Sequence, residues 1–145
     1  MLRPKNKLDF FKPDFESEIK VSFIDQGIKA GFPSPAADFE ETKVSLDRLL
    51  VKNKETTFYA KANGNSMIGA AINDGDILVI DRSLEPNDGK IAVCFIDGEF
   101  TVKRIKKEKN SISLVPENES YEPIIVTEEN DLIIWGIVTH VIKKL

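Results

Sequence analysis

The chain has 145 residues, 41% of them hydrophobic and 30% charged, with a net charge of −4. That is enough for one core, and the acidic balance argues against a protein that grips a nucleic-acid backbone by itself. No apolar run reaches the roughly 18 residues of a membrane span, and no signal-like apolar stretch follows the basic Met1–Lys7 segment, so the expected place is the cytoplasm. A single cysteine, Cys94, rules out an internal disulfide. With one cysteine and one histidine, His140, a zinc site of the Cys/His kind is excluded within the chain, and nothing calls for another metal or a cofactor.

In chain order, residues 1–40 read as an N-terminal arm. It holds Pro4, Pro13, Pro33 and Pro35, and its apolar residues follow no helical period. Ile19–Phe23 reads as one short strand within it. The arm is too small for a core and too apolar for a disordered tail, so it is expected to dock on its own body or a neighbour. Residues 41–145 read as the second region. Val44–Val51 is expected to be a short helix with Ser45 as its N-cap. From Thr56 the pattern turns to strands, over 56–62, 76–81, 90–96, 99–106, 111–115, 123–127 and 132–143. Asp97-Gly98 marks a tight hairpin. Seven short strands with one helix imply a mainly β, compact, curved antiparallel body. Ile133, Ile134, Trp135, Ile137, Val138, Val141 and Ile142 are more apolar than a half-buried edge strand requires, so the C-terminal strand is expected at an exposed edge that pairs with a second copy.

Three features carry chemistry. Ser66 lies in Gly64-Asn65-Ser66-Met67, directly after the first of those strands, where Met67–Ile72 is expected to begin a short helix. A serine at such a turn exposes its hydroxyl and leaves backbone N–H groups, those of Ser66 and Met67, to hold an oxyanion. A serine needs a base, and the lone histidine sits in an alternating strand pattern that suits packing or surface. Lysine is the alternative, provided that burial lowers its pKa. Lys103, which follows Phe100 and Val102 and precedes Ile105 on the return arm of the hairpin, fits that need; Lys106, Lys107 and Lys109 belong to a solvated run. Ala30-Gly31 is a small-residue bond in a Pro- and Gly-rich stretch. Taken singly, a helix-capping serine, a surface lysine and a flexible turn are the commoner readings.

Together these segments resemble one family. Ala30-Gly31-Phe32-Pro33-Ser34-Pro35-Ala36-Ala37-Asp38, Lys61-Ala62-Asn63-Gly64-Asn65-Ser66-Met67-Ile68, Asp74-Gly75-Asp76, Asp97–Arg104 and Trp135–Ile142 are similar to the motifs of the LexA/UmuD self-cleaving serine–lysine peptidases. The likeness spans about residues 26–145, and Gly31–Asp38 resembles the UmuD branch in particular. It implies the LexA-type peptidase fold, Ser66 as nucleophile, Lys103 as general base and Ala30-Gly31 as the scissile bond. It further implies a homodimer whose self-cleavage is promoted by a RecA–single-stranded-DNA filament after DNA damage. The shortened dimer would then serve a UmuC-like translesion DNA polymerase as accessory subunit. Asn65 stands where the family often has Asp, and Ala30 where UmuD-like chains have Cys. About 30 residues precede the cut, which on this resemblance disfavours a LexA-like or phage-type repressor with its winged helix. A signal peptidase is disfavoured by the missing anchor. A non-enzymatic binding module with a relic dyad is disfavoured by Ser66, Lys103 and Ala30-Gly31 occurring together.

Overall fold

Alternating apolar residues from Thr57 onward build one large antiparallel sheet. The structure is a computed structural model that describes residues 10–16, 18–24 and 41–145. Ala30-Gly31 and the motif through Asp38 lie outside the described residues.

The sheet has eight strands: β1 (Phe10–Phe11), β4 (Thr57–Lys61), β5 (Ile77–Asp81), β6 (Ile91–Ile96), β7 (Glu99–Glu108), β8 (Ser111–Val115), β9 (Ile124–Val126) and β10 (Leu132–Ile142). Their spatial order is β1-β4-β5-β10-β6-β7-β8-β9, every neighbour antiparallel. All seven expected strands are present, with ends shifted by no more than two residues.

Side chains alternate across a strand, so the sheet has a cluster on each face, and β6 and β7 feed both. Leu78 and Ile80 of β5, Val93 of β6 and Val102 of β7 join Ala60, Ala62, Met67 and Ile72 in the first. Ala92, Cys94 and Ile96 of β6 join Ile105, Leu114 and Ile137 in the second. The Asp97-Gly98 turn joins β6 to β7 with φ of 48° and 87° at its two central residues. Positive φ at both positions is the type I′ geometry whose twist matches that of a hairpin, and glycine takes it without strain.

Residues 14–52 form a unit of their own. Within it β2 (Lys20–Ile24) pairs antiparallel with β3 (Glu41–Ser45). Arg48 Nε donates to Glu18 Oε2 at 2.8 Å.

Four local expectations need correction. Val44 and Ser45 end a strand rather than begin a helix, and the helix α1 is only Leu46–Leu50. Ser45 occupies the N-cap position, but its side chain makes no capping hydrogen bond. β-branched Val44 suits the pairing with Val21, which overrides its place in a helical pattern. Beyond Ser66 the backbone forms a single 3₁₀ turn, Ile68–Ala70, in place of a short helix. Finally β10, expected at an exposed edge, runs through the middle of the sheet. Its first half pairs with β6 and its second half with β5, with bulges at Ile134/Gly136 and Val138/His140.

Candidate active site

Ser66 and Lys103 meet although they are distant in sequence. Lys103 lies on β7 between buried Val102 and half-buried Arg104, paired with Ala92 of β6. It is 7% exposed. Its ammonium-forming nitrogen has three neighbours: Thr101 Oγ1 at 2.6 Å, Ser66 Oγ at 3.0 Å and the Val102 carbonyl at 3.1 Å. Burial pulls the Lys103 pKa below the ordinary lysine value, against a smaller upward pull from Cys94. Cys94 itself is pushed up to about 12, chiefly by burial, so it is an inert core thiol.

This arrangement suits a neutral amine. In the charged state the nitrogen donates to all three neighbours, whereas in the neutral state two N–H donors would serve Thr101 Oγ1 and the Val102 carbonyl and the lone pair would accept from the Ser66 hydroxyl. The hydroxyl can then donate to Lys103, the polarisation that a nucleophilic serine requires. Ser66 is half-buried and opens on a cleft of about 240 Å³ lined also by Asn63, Met67, Phe100, Thr101 and Tyr121. Among the described residues the Ser66 and Met67 amides make no turn or cap hydrogen bond. His140 is exposed at β10, its Nδ1 3.0 Å from Thr139 Oγ1, and does not line the cleft.

The turn that presents Ser66 is braced on two sides. On one side, Gly64 N–H donates to Asp74 Oδ1 at 2.7 Å and the backbones of Ala62, Gly75 and Asp76 interlock. Burial pushes the Asp76 carboxyl up, but hydrogen bonds from Lys143 and the Asn73 amide outweigh it and hold the group below the usual carboxylate range. On the other side sits Glu117-Asn118, after β8. Glu117 N–H donates to the Ser66 carbonyl at 2.8 Å, Gly69 N–H donates to the Glu117 carbonyl at 2.7 Å, and Asn118 Nδ2 donates to the Asn65 carbonyl at 2.9 Å. Arg104, next to Lys103, hydrogen-bonds the Glu117 carboxylate.

Thr101, Glu117, Asn118 and Gly69 were not singled out from the sequence. Thr101 had one available signal: it is two residues from Lys103, hence on the same strand face. The Glu117 brace had none, because its partner lies across the fold.

Gly69 is required by that brace. A Cβ built there falls 2.6 Å from the Glu117 carbonyl oxygen, a backbone atom that cannot swing aside. Gly69→Ala is therefore expected to displace the Ser66 turn and to slow any Ser66-dependent chemistry by about 10- to 100-fold, following the cost of ångström-scale misplacement. Single-turnover rates, with circular dichroism to confirm an intact sheet, check this.

Comparison with known proteins places the chain in a family. The Peptidase S24-like family matches residues 22–139. MucA of Escherichia coli is 38% identical over 136 residues, 92% of this chain and 92% of MucA. SamA of Salmonella typhimurium is 42% identical over 115 residues, 79% of each chain. LexA repressor 1 of Geobacter sulfurreducens is 35% identical over 119 residues, 81% of this chain but 58% of that protein.

Proposed function

The chain belongs to the Peptidase S24-like family, and we propose that it is a self-cleaving serine peptidase in which Ser66 and Lys103 cut the Ala30-Gly31 bond. The observation that carries this is the 3.0 Å approach of a buried lysine nitrogen to the Ser66 hydroxyl. Lys103 takes the Ser66 proton as Oγ attacks the Ala30 carbonyl. The Ser66 and Met67 amides hold the oxyanion, and Lys103 returns its proton to the departing Gly31 amine. Water then releases Ala30 from the serine ester, with Lys103 again as base. A bond on the same chain, or on a dimer mate, is present at high effective concentration, so control requires only that the segment be held away from Ser66 until a partner shifts the balance.

The biological setting we infer is that of UmuD: a response to DNA damage in which a RecA–single-stranded-DNA filament promotes the cut. The shortened dimer then joins a UmuC-like DNA polymerase in error-prone translesion synthesis. The match to most of MucA, against 58% of LexA repressor 1, supports this reading over a repressor. The domain division we propose is an arm over residues 1–40 and a peptidase and dimerisation region over 41–145. Among the described residues Val138–Ile142 of β10 hydrogen-bonds only β5, so its other side offers backbone groups to a second copy. Sedimentation of the Ser66→Ala protein at micromolar concentration should give a dimer; a monomer would remove the interface.

The test of the cut is intact mass with N-terminal sequencing after incubation across a pH series. The expected product begins at Gly31. The rate should rise with pH as Lys103 loses its proton, and should level off below the ordinary lysine pKa, since burial lowers it. A different new N-terminus, or no product with or without activated RecA, would refute the proposal.

A further inference from the structure

Phe10-Phe11 adds a strand to the outer edge of β4, with Phe10 opposite Ala60 and Phe11 opposite Tyr59. The two side chains part company, as alternation on a strand requires. Phe10 enters an aromatic group, its ring centroid 4.3 Å from Trp135 and 4.9 Å edge-on from Phe100. Phe58 meets Trp135 edge-on at 5.0 Å, and the Lys12 nitrogen lies 5.1 Å from the Phe58 ring centre. Arg82 lies 4.4 Å over the Trp135 ring and donates to the Trp135 carbonyl at 2.9 Å, fixing that side chain. Phe11 is 59% exposed.

This is how an extended peptide docks by strand addition. Main-chain hydrogen bonds run along an edge, and one alternate side chain fills a pocket. A cation over an aromatic face adds a third point of recognition. We propose that the β4 edge with Phe58, Phe100 and Trp135 is a docking seat for an extended segment of two adjacent aromatics followed by a lysine. In the intact chain its own residues Phe10–Lys12 close it, and a cut between residues 30 and 31 opens it. At the seat only two paired residues and one anchored ring hold; the cut fragment is also tied by the five-residue β2–β3 pairing, and the seat opens when both let go, since the covalent tether no longer supplies the high local concentration. The opening step rests on the cleavage proposed above; the seat does not.

Trp135 is the only tryptophan, so its emission reports on the seat. The probe is a synthetic peptide of residues 8–15, titrated into the full-length Ser66→Ala chain and into the same chain carrying Phe10→Ala. Fluorescence anisotropy of the labelled peptide and Trp135 emission are both read. The emptied chain should bind at least tenfold more tightly than the closed one, and a peptide with alanine for its first phenylalanine should not bind. Phe10→Leu keeps apolar volume and should give the same ordering with smaller amplitude, which covers a failure of the alanine variant to fold. Equal binding to closed and emptied chains, or none to either, overturns the seat. Wild-type protein, processed and freed of its fragment, should bind like the emptied chain. If no processing occurs while the emptied chain binds, the cleavage reading fails and the seat stands.

Discussion

Lys103→Met is expected to abolish self-cleavage and at the same time to stabilise the fold. The lysine sits almost wholly out of water on β7, with hydroxyls and one carbonyl around its nitrogen and no carboxylate among its hydrogen-bond partners. Holding an ordinary lysine neutral at pH 7 costs about 4.6 kcal/mol, and the depressed pKa records how much of that burial imposes on the folded state. Between the lowered folded pKa and the ordinary unfolded value, the unfolded chain binds more protons than the folded one. Stability of the wild type therefore rises with pH through that window, and the penalty is greatest below it. Methionine matches the lysine stem without a charge. A higher melting temperature is expected near neutral pH, together with loss of the pH-dependent rise. Thermal melts at several pH values check it. A destabilised Lys103→Met protein would mean that the hydrogen bonds to Thr101 and Val102 outweigh the cost of burying the amine.

Ser66→Ala and Lys103→Ala should each slow cleavage by at least about 10³-fold, and the double variant should be little worse than either alone. The two groups act on one proton, so removing either removes the same event. Ser66 is half-buried at a turn held by backbone bonds from Glu117 and to Asp74 through Gly64, so loss of its hydroxyl leaves the turn in place. His140→Ala is the control. Its ring faces Thr139 and solvent, and the rate should stay within a factor of two. An inactive His140→Ala protein with an active Lys103→Ala protein would reassign the base. Strictly additive losses in the double variant would mean that the two residues act on separate steps.

Much of the body was legible along the chain because its signals are local. Short runs of apolar and β-branched residues bounded by turn residues recur from Thr57 to Ile142, and Asp97-Gly98 carries its own turn chemistry, so strand limits and the β6–β7 hairpin follow from neighbouring residues. The hairpin also explains why Lys103 could be singled out: apolar Val102 and Ile105 beside it mark a strand segment buried on both faces.

Where local preference competed with pairing, the pairing won. Val44-Ser45 continues a strand opposite Lys20-Val21 rather than opening a helix. The stretch after Ser66 closes as one 3₁₀ turn because Gly69 and Ile72 take their partners from Glu117 and Met67.

Local patterning along the chain was enough for the fold class, the strands from Thr57 onward and the two side chains that meet at 3.0 Å. Long-range packing alone inserts β10 between β5 and β6, sets Glu117 and Asn118 against the Ser66 turn, and seats Phe10 against Trp135. The reason is the range of the interactions. Strand patterning and turn chemistry are set within a few residues, whereas these three depend on which distant strands lie side by side, and that is settled by burying both faces of one sheet together.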